Sequence, residues 1–106
     1  MKHQIEFYTF IEITINKLDL LDLKNWLIIE HYDFVINLAA KTFVPKSWKN
    51  PDLFLNDNIK LTVNALEYCR KNNSKLIHIS SYLYGNPKII PTPEEHPINA
   101  NNPYAL

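Results

Sequence analysis

Two short apolar runs with a long helix signal between them leave few folds open to this chain. The runs are Asp33-Phe34-Val35-Ile36-Asn37-Leu38 and Lys75-Leu76-Ile77-His78-Ile79-Ser80. Each has the length and composition of a strand covered on both faces, the usual position of a strand in a parallel sheet. Between them Asn50-Pro51 reads as an N-cap followed by proline at the first helical position, where the missing N–H costs nothing. The helix that starts there is predicted to run to about Lys71. Leu55, Ile59, Thr62, Leu66 and Cys69 form one stripe along it, and Phe54, Leu61, Ala65 and Tyr68 form a second about 100° away. A helix apolar over so wide an arc is covered on two sides. Asn72-Asn73-Ser74 stops the helix. Strand, helix, strand in this order predicts an α/β fold with a parallel sheet.

The flanks add less. From Ile11 to Lys17 apolar and polar residues alternate, which predicts a strand with one wet face. Ile5 to Phe10 reads as strand or loop, and periodicity does not decide between them. Asp22 is placed to cap a short helix over Leu23 to Glu30, where Leu23, Trp26, Leu27 and Glu30 share a face. Ala39-Ala40, just after the first apolar run, are small enough to let a ligand approach the backbone. Five of the seven prolines fall between Pro87 and Pro103, so this tail is expected to be irregular backbone held by a scaffold.

Composition removes several function classes. Eleven basic side chains balance eleven acidic ones, so the basic excess of a nucleic-acid binder is missing. The apolar runs are far shorter than a membrane span of roughly 18 residues, and the N-terminus lacks the regions of a signal peptide, so a cytoplasmic protein is expected. Cys69 has no partner in the chain, and His3, His31, His78 and His96 lack zinc-ligand spacing, which argues against a disulfide framework or a metal site. Gly85 is the single glycine among 106 residues, so a glycine-rich phosphate loop is absent from these residues.

Several short pieces then form an ordered set. They are Asp33 to Ala40, Pro45-Lys46-Ser47, Asn50-Pro51, Asn58-Ile59 with Thr62, Ile79-Ser80-Ser81 with Tyr84-Gly85, Glu95, and Asn102-Pro103-Tyr104. In this order and spacing the chain resembles the NAD-dependent epimerase/dehydratase family, the extended short-chain dehydrogenases that include nucleotide-sugar epimerases and dehydratases. The resemblance runs from about Asp19 to Leu106. It implies that residues 1–106 are one partial Rossmann-type domain, a doubly wound parallel sheet lacking the first βαβ unit and the C-terminal substrate region. Two departures from the family support that expectation. No strand with a glycine-rich turn precedes Asp19, and the lysine four residues after the family's catalytic tyrosine falls beyond Leu106. Leu61 also stands where the family usually has glycine.

The resemblance implies roles one residue at a time. Asp19 and Leu20 resemble the pair that holds the adenine of NAD, and Leu38, Ala39 and Ala40 the segment over which its ribose and nicotinamide lie. Asn58 resembles the asparagine that buttresses the site, Ser81 the hydroxyl that hydrogen-bonds the substrate, and Tyr104 the acid/base. NAD is the implied cofactor, a nucleotide-sugar the implied substrate, and a homodimer through the helix 51–71, with its second stripe facing the other subunit, the implied assembly. An isolated tyrosine is a poor base at neutral pH, and in the family the lysine and the nicotinamide charge favour its phenolate. The chain alone is therefore expected to be inactive.

Read without the resemblance, the same residues have plainer duties. Asp19 and Asp22 end a strand and cap a helix, Ser80 and Ser81 are loop hydroxyls, Asn58 is a helix-surface residue and Tyr104 a surface aromatic. His78 is then a hydrogen-bonded core histidine, Glu94-Glu95 a solvated pair, and Trp26 and Trp48 packing residues. The competing functional readings are a truncated, non-catalytic remnant and a small α/β binding module. An upstream glycine-rich segment and a downstream Ser-Lys in the flanking DNA would separate an enzyme from both.

Overall fold

A computed structural model describes residues 16–81 and 83–106. The expected strand from Ile11 lies outside these residues except for Asn16 and Lys17, which are in neither strand nor helix. The elements are α1 (Leu23–Leu27), β1 (Phe34–Asn37), α2 (Val44–Lys49), α3 (Pro51–Asn72) and β2 (Lys75–His78). β1 and β2 pair in parallel, with Phe34 opposite Lys75 and Asn37 opposite His78. Parallel neighbours need a crossover, and α3 supplies it while packing on both strands.

Local chemistry accounts for most element ends. The Asp22 side chain accepts from the Lys24 N–H at 3.0 Å and starts α1. α1 stops at Leu27, short of the expected Glu30, and of its apolar stripe only Trp26 is buried. Asn50 precedes α3 as expected, but its side chain makes no capping hydrogen bond. Residues 44–49 form α2 with Pro45 in its first turn, so Asn50 closes one helix and opens the next. At the far end of α3, Asn73 takes a left-handed conformation (φ 54°), and its N–H donates to the Cys69 carbonyl.

The core sits where α1, α3 and the sheet meet. Trp26, Ala65, Tyr68 and Cys69 are buried together, with Leu20, Ile29, Val35 and Leu76 packed around them. Trp26 and Tyr68 rings lie 5.8 Å apart at 52°. The Tyr68 hydroxyl donates to the Glu30 carbonyl at 2.5 Å and accepts from the Tyr32 N–H at 3.2 Å, so one side chain ties α3 to the segment entering β1. Burial raises the Tyr68 phenol and the Cys69 thiol above their ordinary pKa values.

Three expectations need correction. Phe54, Leu61, Ala65 and Tyr68, expected to face another subunit, are this chain's own buried stripe, with Ala65 and Tyr68 packed among Trp26, Val35 and Leu76. The other stripe is mixed: Cys69 is in the core, Leu55 and Thr62 are half-buried, and Ile59 and Leu66 are 58% and 51% exposed. Trp48 does not pack and is 63% exposed. Among the described residues the strands, expected to be covered on both faces, are covered on one. Val35 and Leu76 pack on the core, while Phe34, Ile36, Leu38, Ile77 and Ile79 point the other way and stay about half exposed or more.

Candidate functional site

Parallel strands end on the same side, and a groove of about 610 Å³ opens at the carboxyl ends of β1 and β2. Its size is that of a small-molecule site, and its place is where open α/β sheets bind ligands. Four pieces of chain build it. Leu38, Ala39 and Ala40 come from the segment leaving β1, Ser80 and Ser81 from that leaving β2, Asn58 from α3, and Tyr104 from the C-terminal segment.

Polar contacts fasten the segment that leaves β1. Asn37, at the end of β1, accepts the Ala39 N–H on its Oδ1 at 3.2 Å and turns the chain sharply away from the sheet. Asn58 closes a two-point clamp on the next stretch, accepting from the Lys41 N–H at 2.8 Å and donating to the Lys41 carbonyl at 3.2 Å. The Lys41 ammonium meets the Asp57 carboxylate at 2.5 Å, so the loop is fastened to α3 by backbone and side chain alike. Thr62 donates to the Asn58 carbonyl at 2.9 Å, within the helix.

The long proline-rich tail reaches the groove because its base is pinned. The Asn99 N–H donates to the Leu83 carbonyl at 2.8 Å, bringing the residues after Ser81 against the approach to Tyr104. Gly85 makes that approach possible. Its φ is +60°, and a Cβ there would lie 2.3 Å from the Asn99 carbonyl oxygen, so no other residue fits without displacing backbone. Asn102 then accepts the N–H groups of Tyr104 and Ala105 at 3.1 and 3.0 Å and shapes the last turn.

Six of the eight residues singled out from the sequence therefore share one groove: Leu38, Ala39, Ala40, Asn58, Ser81 and Tyr104. Asp19 and Leu20 do not line it. They form the turn before α1, where Asp19 Oδ1 accepts the Leu21 N–H at 3.0 Å and the Leu20 carbonyl accepts from Trp26 Nε1 and Asn64 Nδ2, each at 2.9 Å. His78, expected in the core, is exposed and lines the groove, because it stands at the last position of β2 beyond the reach of the core cluster. Asn37 was passed over in the sequence although it interrupts an apolar run. Asn37 and His78, each a polar residue near the end of an otherwise apolar strand, were the available signal. Among the described residues that line the groove there is no Asp, Glu, Lys or Arg.

Comparison with known proteins gives this arrangement a family. Residues 2–106 match the NAD dependent epimerase/dehydratase family. The chain belongs to that family. Among its relatives, UDP-glucose 4-epimerase 2 of Arabidopsis thaliana is 41% identical over 75 residues, covering 69% of this chain and 21% of the relative. A putative UDP-glucose 4-epimerase of Methanocaldococcus jannaschii is 36% identical over 88 residues, covering 80% of this chain and 29% of the relative. In three dimensions the UDP-glucose 4-epimerase of Bifidobacterium longum, solved in complex with NAD+ and UDP, superposes with a TM-score of 0.77 at 30% identity. That match covers 85% of this chain and 29% of the other. The fold of these residues is accordingly Rossmann-type, and the epimerase/dehydratase family to which they belong is NAD-dependent. The chain spans less than a third of the length of these relatives. Among the described residues no helix is long and apolar enough to cross a membrane.

Proposed function

We propose that these residues supply the nicotinamide and sugar side of an NAD-dependent nucleotide-sugar epimerase or dehydratase. The observation that carries the reading is the convergence of Leu38 to Ala40, Asn58, Ser81 and Tyr104 on one groove at the carboxyl edge of a parallel sheet. The groove suits the phosphate-free nicotinamide end of a dinucleotide: Ala39 and Ala40 have short side chains, and no Asp, Glu, Lys or Arg side chain lines it. Leu38, Ala39 and Ala40 would lie against the ribose and nicotinamide, and Asp19 with Leu20 would meet the adenine at the other edge. When bound, NAD supplies the hydride acceptor for a hexose ring carbon.

The chain's own residues handle the proton and the geometry. The Tyr104 phenolic oxygen takes the proton of the sugar hydroxyl as its carbon is oxidised, and gives it back when the carbon is reduced. Ser81 donates a hydrogen bond to the same sugar oxygen and fixes its distance from Tyr104. Asn58 acts one step back, since its clamp on Lys41 holds the chain that continues from Ala39-Ala40. The assembly we infer is a homodimer through α3, whose Ile59, Val63 and Leu66 form an open apolar stripe 58%, 53% and 51% exposed. The reading is of a cytoplasmic enzyme, in keeping with a cysteine buried as a free thiol.

Tyr104→Phe in the active enzyme tests this reading, because it removes the proton acceptor and keeps the ring. Turnover should be lost while NAD still binds, whereas Ser81→Ala should cost about 10²–10³ in rate, as for one transition-state hydrogen bond. Near-normal rates for Tyr104→Phe would end the mechanism. With one glycine in 106 residues, the backbone donors of a glycine-rich turn are not among them, so NAD should bind these residues alone more weakly than micromolar. Calorimetric titration checks it, and micromolar binding would refute that part.

A further inference from the structure

Asn37 and His78 end β1 and β2 opposite one another in the parallel register. Both line the groove, but Asn37 is only 5% exposed whereas His78 is open to solvent. The way the Asn37 amide faces is decided by its neighbours. The Ala39 N–H can only donate, and it lies 3.2 Å from one end of the amide, so that end is the oxygen. The amide NH2 must then face His78 Nδ1, 3.3 Å away. An NH2 group also only donates, so Nδ1 must accept, and a neutral ring with an accepting Nδ1 carries its proton on Nε2. That N–H sits on the ring edge opposite Asn37, in a side chain that borders the groove.

We propose that His78 is a ligand-binding residue of the groove and Asn37 its positioning residue: the locked ring donates its Nε2–H to an uncharged acceptor oxygen of the bound molecule. A neutral donor in a lining without Lys or Arg suits a hydroxyl or carbonyl oxygen rather than a phosphate. The inference rests on the proposed function, under which the groove takes the nicotinamide riboside end of NAD and a sugar. Both present such oxygens, and the two are separated by probing with NAD and with UDP-glucose in turn.

Long-range proton–nitrogen NMR on the full chain reads the ring directly. The neutral His78 ring should show the Nε2–H pattern, and Asn37→Asp should convert it to Nδ1–H, because a carboxylate facing Nδ1 can only accept. A wild-type Nδ1–H pattern, or no change in Asn37→Asp, overturns the positioning role. Titration with millimolar NAD or UDP-glucose should shift His78 together with Ala39 and Ser81, and the probe that does so identifies the oxygen's source. His78→Phe should weaken that probe's binding about tenfold, the loss of one hydrogen bond, and His78→Gln should restore it, since its amide can donate from nearly the same place. Shifts at Ala39 and Ser81 without His78, or unchanged affinity in His78→Phe, overturn the binding role alone. No shift anywhere in the groove with either probe overturns the groove as a ligand site, and this assignment with it.

Discussion

From Asn64 to Cys69, α3 turns Asn64, Ala65, Tyr68 and Cys69 inward, whereas from Phe54 to Val63 the same helix borders the groove and leaves Ile59 and Val63 more than half exposed. The later half is bound to distant chain by side-chain hydrogen bonds. Asn64 donates to the Leu20 carbonyl, and Tyr68 joins Glu30 and Tyr32. The earlier half spends its long-range polar contacts, Asn58 and Asp57 with Lys41, on the loop that forms the groove wall. Stability and site are thus divided along a single helix, and substitutions in the two halves should act on different observables.

The largest effect should follow from Tyr68→Ala, which empties the core and strands two backbone groups. Core aromatic-to-alanine changes cost about 3–5 kcal/mol, a large share of the roughly 5–15 kcal/mol that holds a domain together. Urea denaturation followed by circular dichroism should show a largely unfolded chain, and a loss below about 1 kcal/mol would contradict this core. Leu61→Glu and Tyr68→Glu should behave as badly, because both positions are buried and not part of a subunit interface.

Asn58→Ala should come next, at about 1–2 kcal/mol for two lost hydrogen bonds in a partly exposed place. Its signature is local: amide exchange at Lys41 should quicken while Ser74, whose N–H donates to Cys69, keeps its protection. Equal loss of protection at both positions would mean that the two halves are not separate.

Acid should act on the later half through Glu67. Two 2.8 Å hydrogen bonds from Arg70 hold the Glu67 carboxyl down to about 2, from an ordinary value of 4.5. A folded value below the unfolded one adds stability that is present above about 4.5 and lost as pH falls towards 2. The pair is exposed, so the slope should be shallow, and Arg70→Gln should flatten it further. An unchanged slope in that variant would remove Glu67 from the account.

Val63→Lys should do least to the chain itself, within about ±0.5 kcal/mol, since the side chain is already 53% exposed. Sedimentation gives the same variant a second use. A dimer of the parent chain that dissociates on this substitution would locate the interface on the open stripe, and a dimer that persists would move it elsewhere.

Much of this was legible from residue order because the signals are local. Pro51 at a helix start, Asn73 at its end and Asp22 before Leu23 act within one turn of chain, and the two apolar runs could only be strands at that length. The short helix α2 escaped because a six-residue element carries no periodicity to read. Which stripe of α3 faces inward was equally hidden, since both are apolar and only the positions of Trp26, Val35 and Leu76 choose between them. The groove had the same character. Ser81 and Tyr104 stand 23 residues apart in the chain and come to one place through a carbonyl of Leu83, an amide of Asn99 and a glycine too close to bear a Cβ. Residue types name the chemistry a chain can perform, but whether a strand-end histidine is core or groove depends on what lies across the sheet. For His78 that neighbour is Asn37, 41 residues away, and no pattern within either strand contains it.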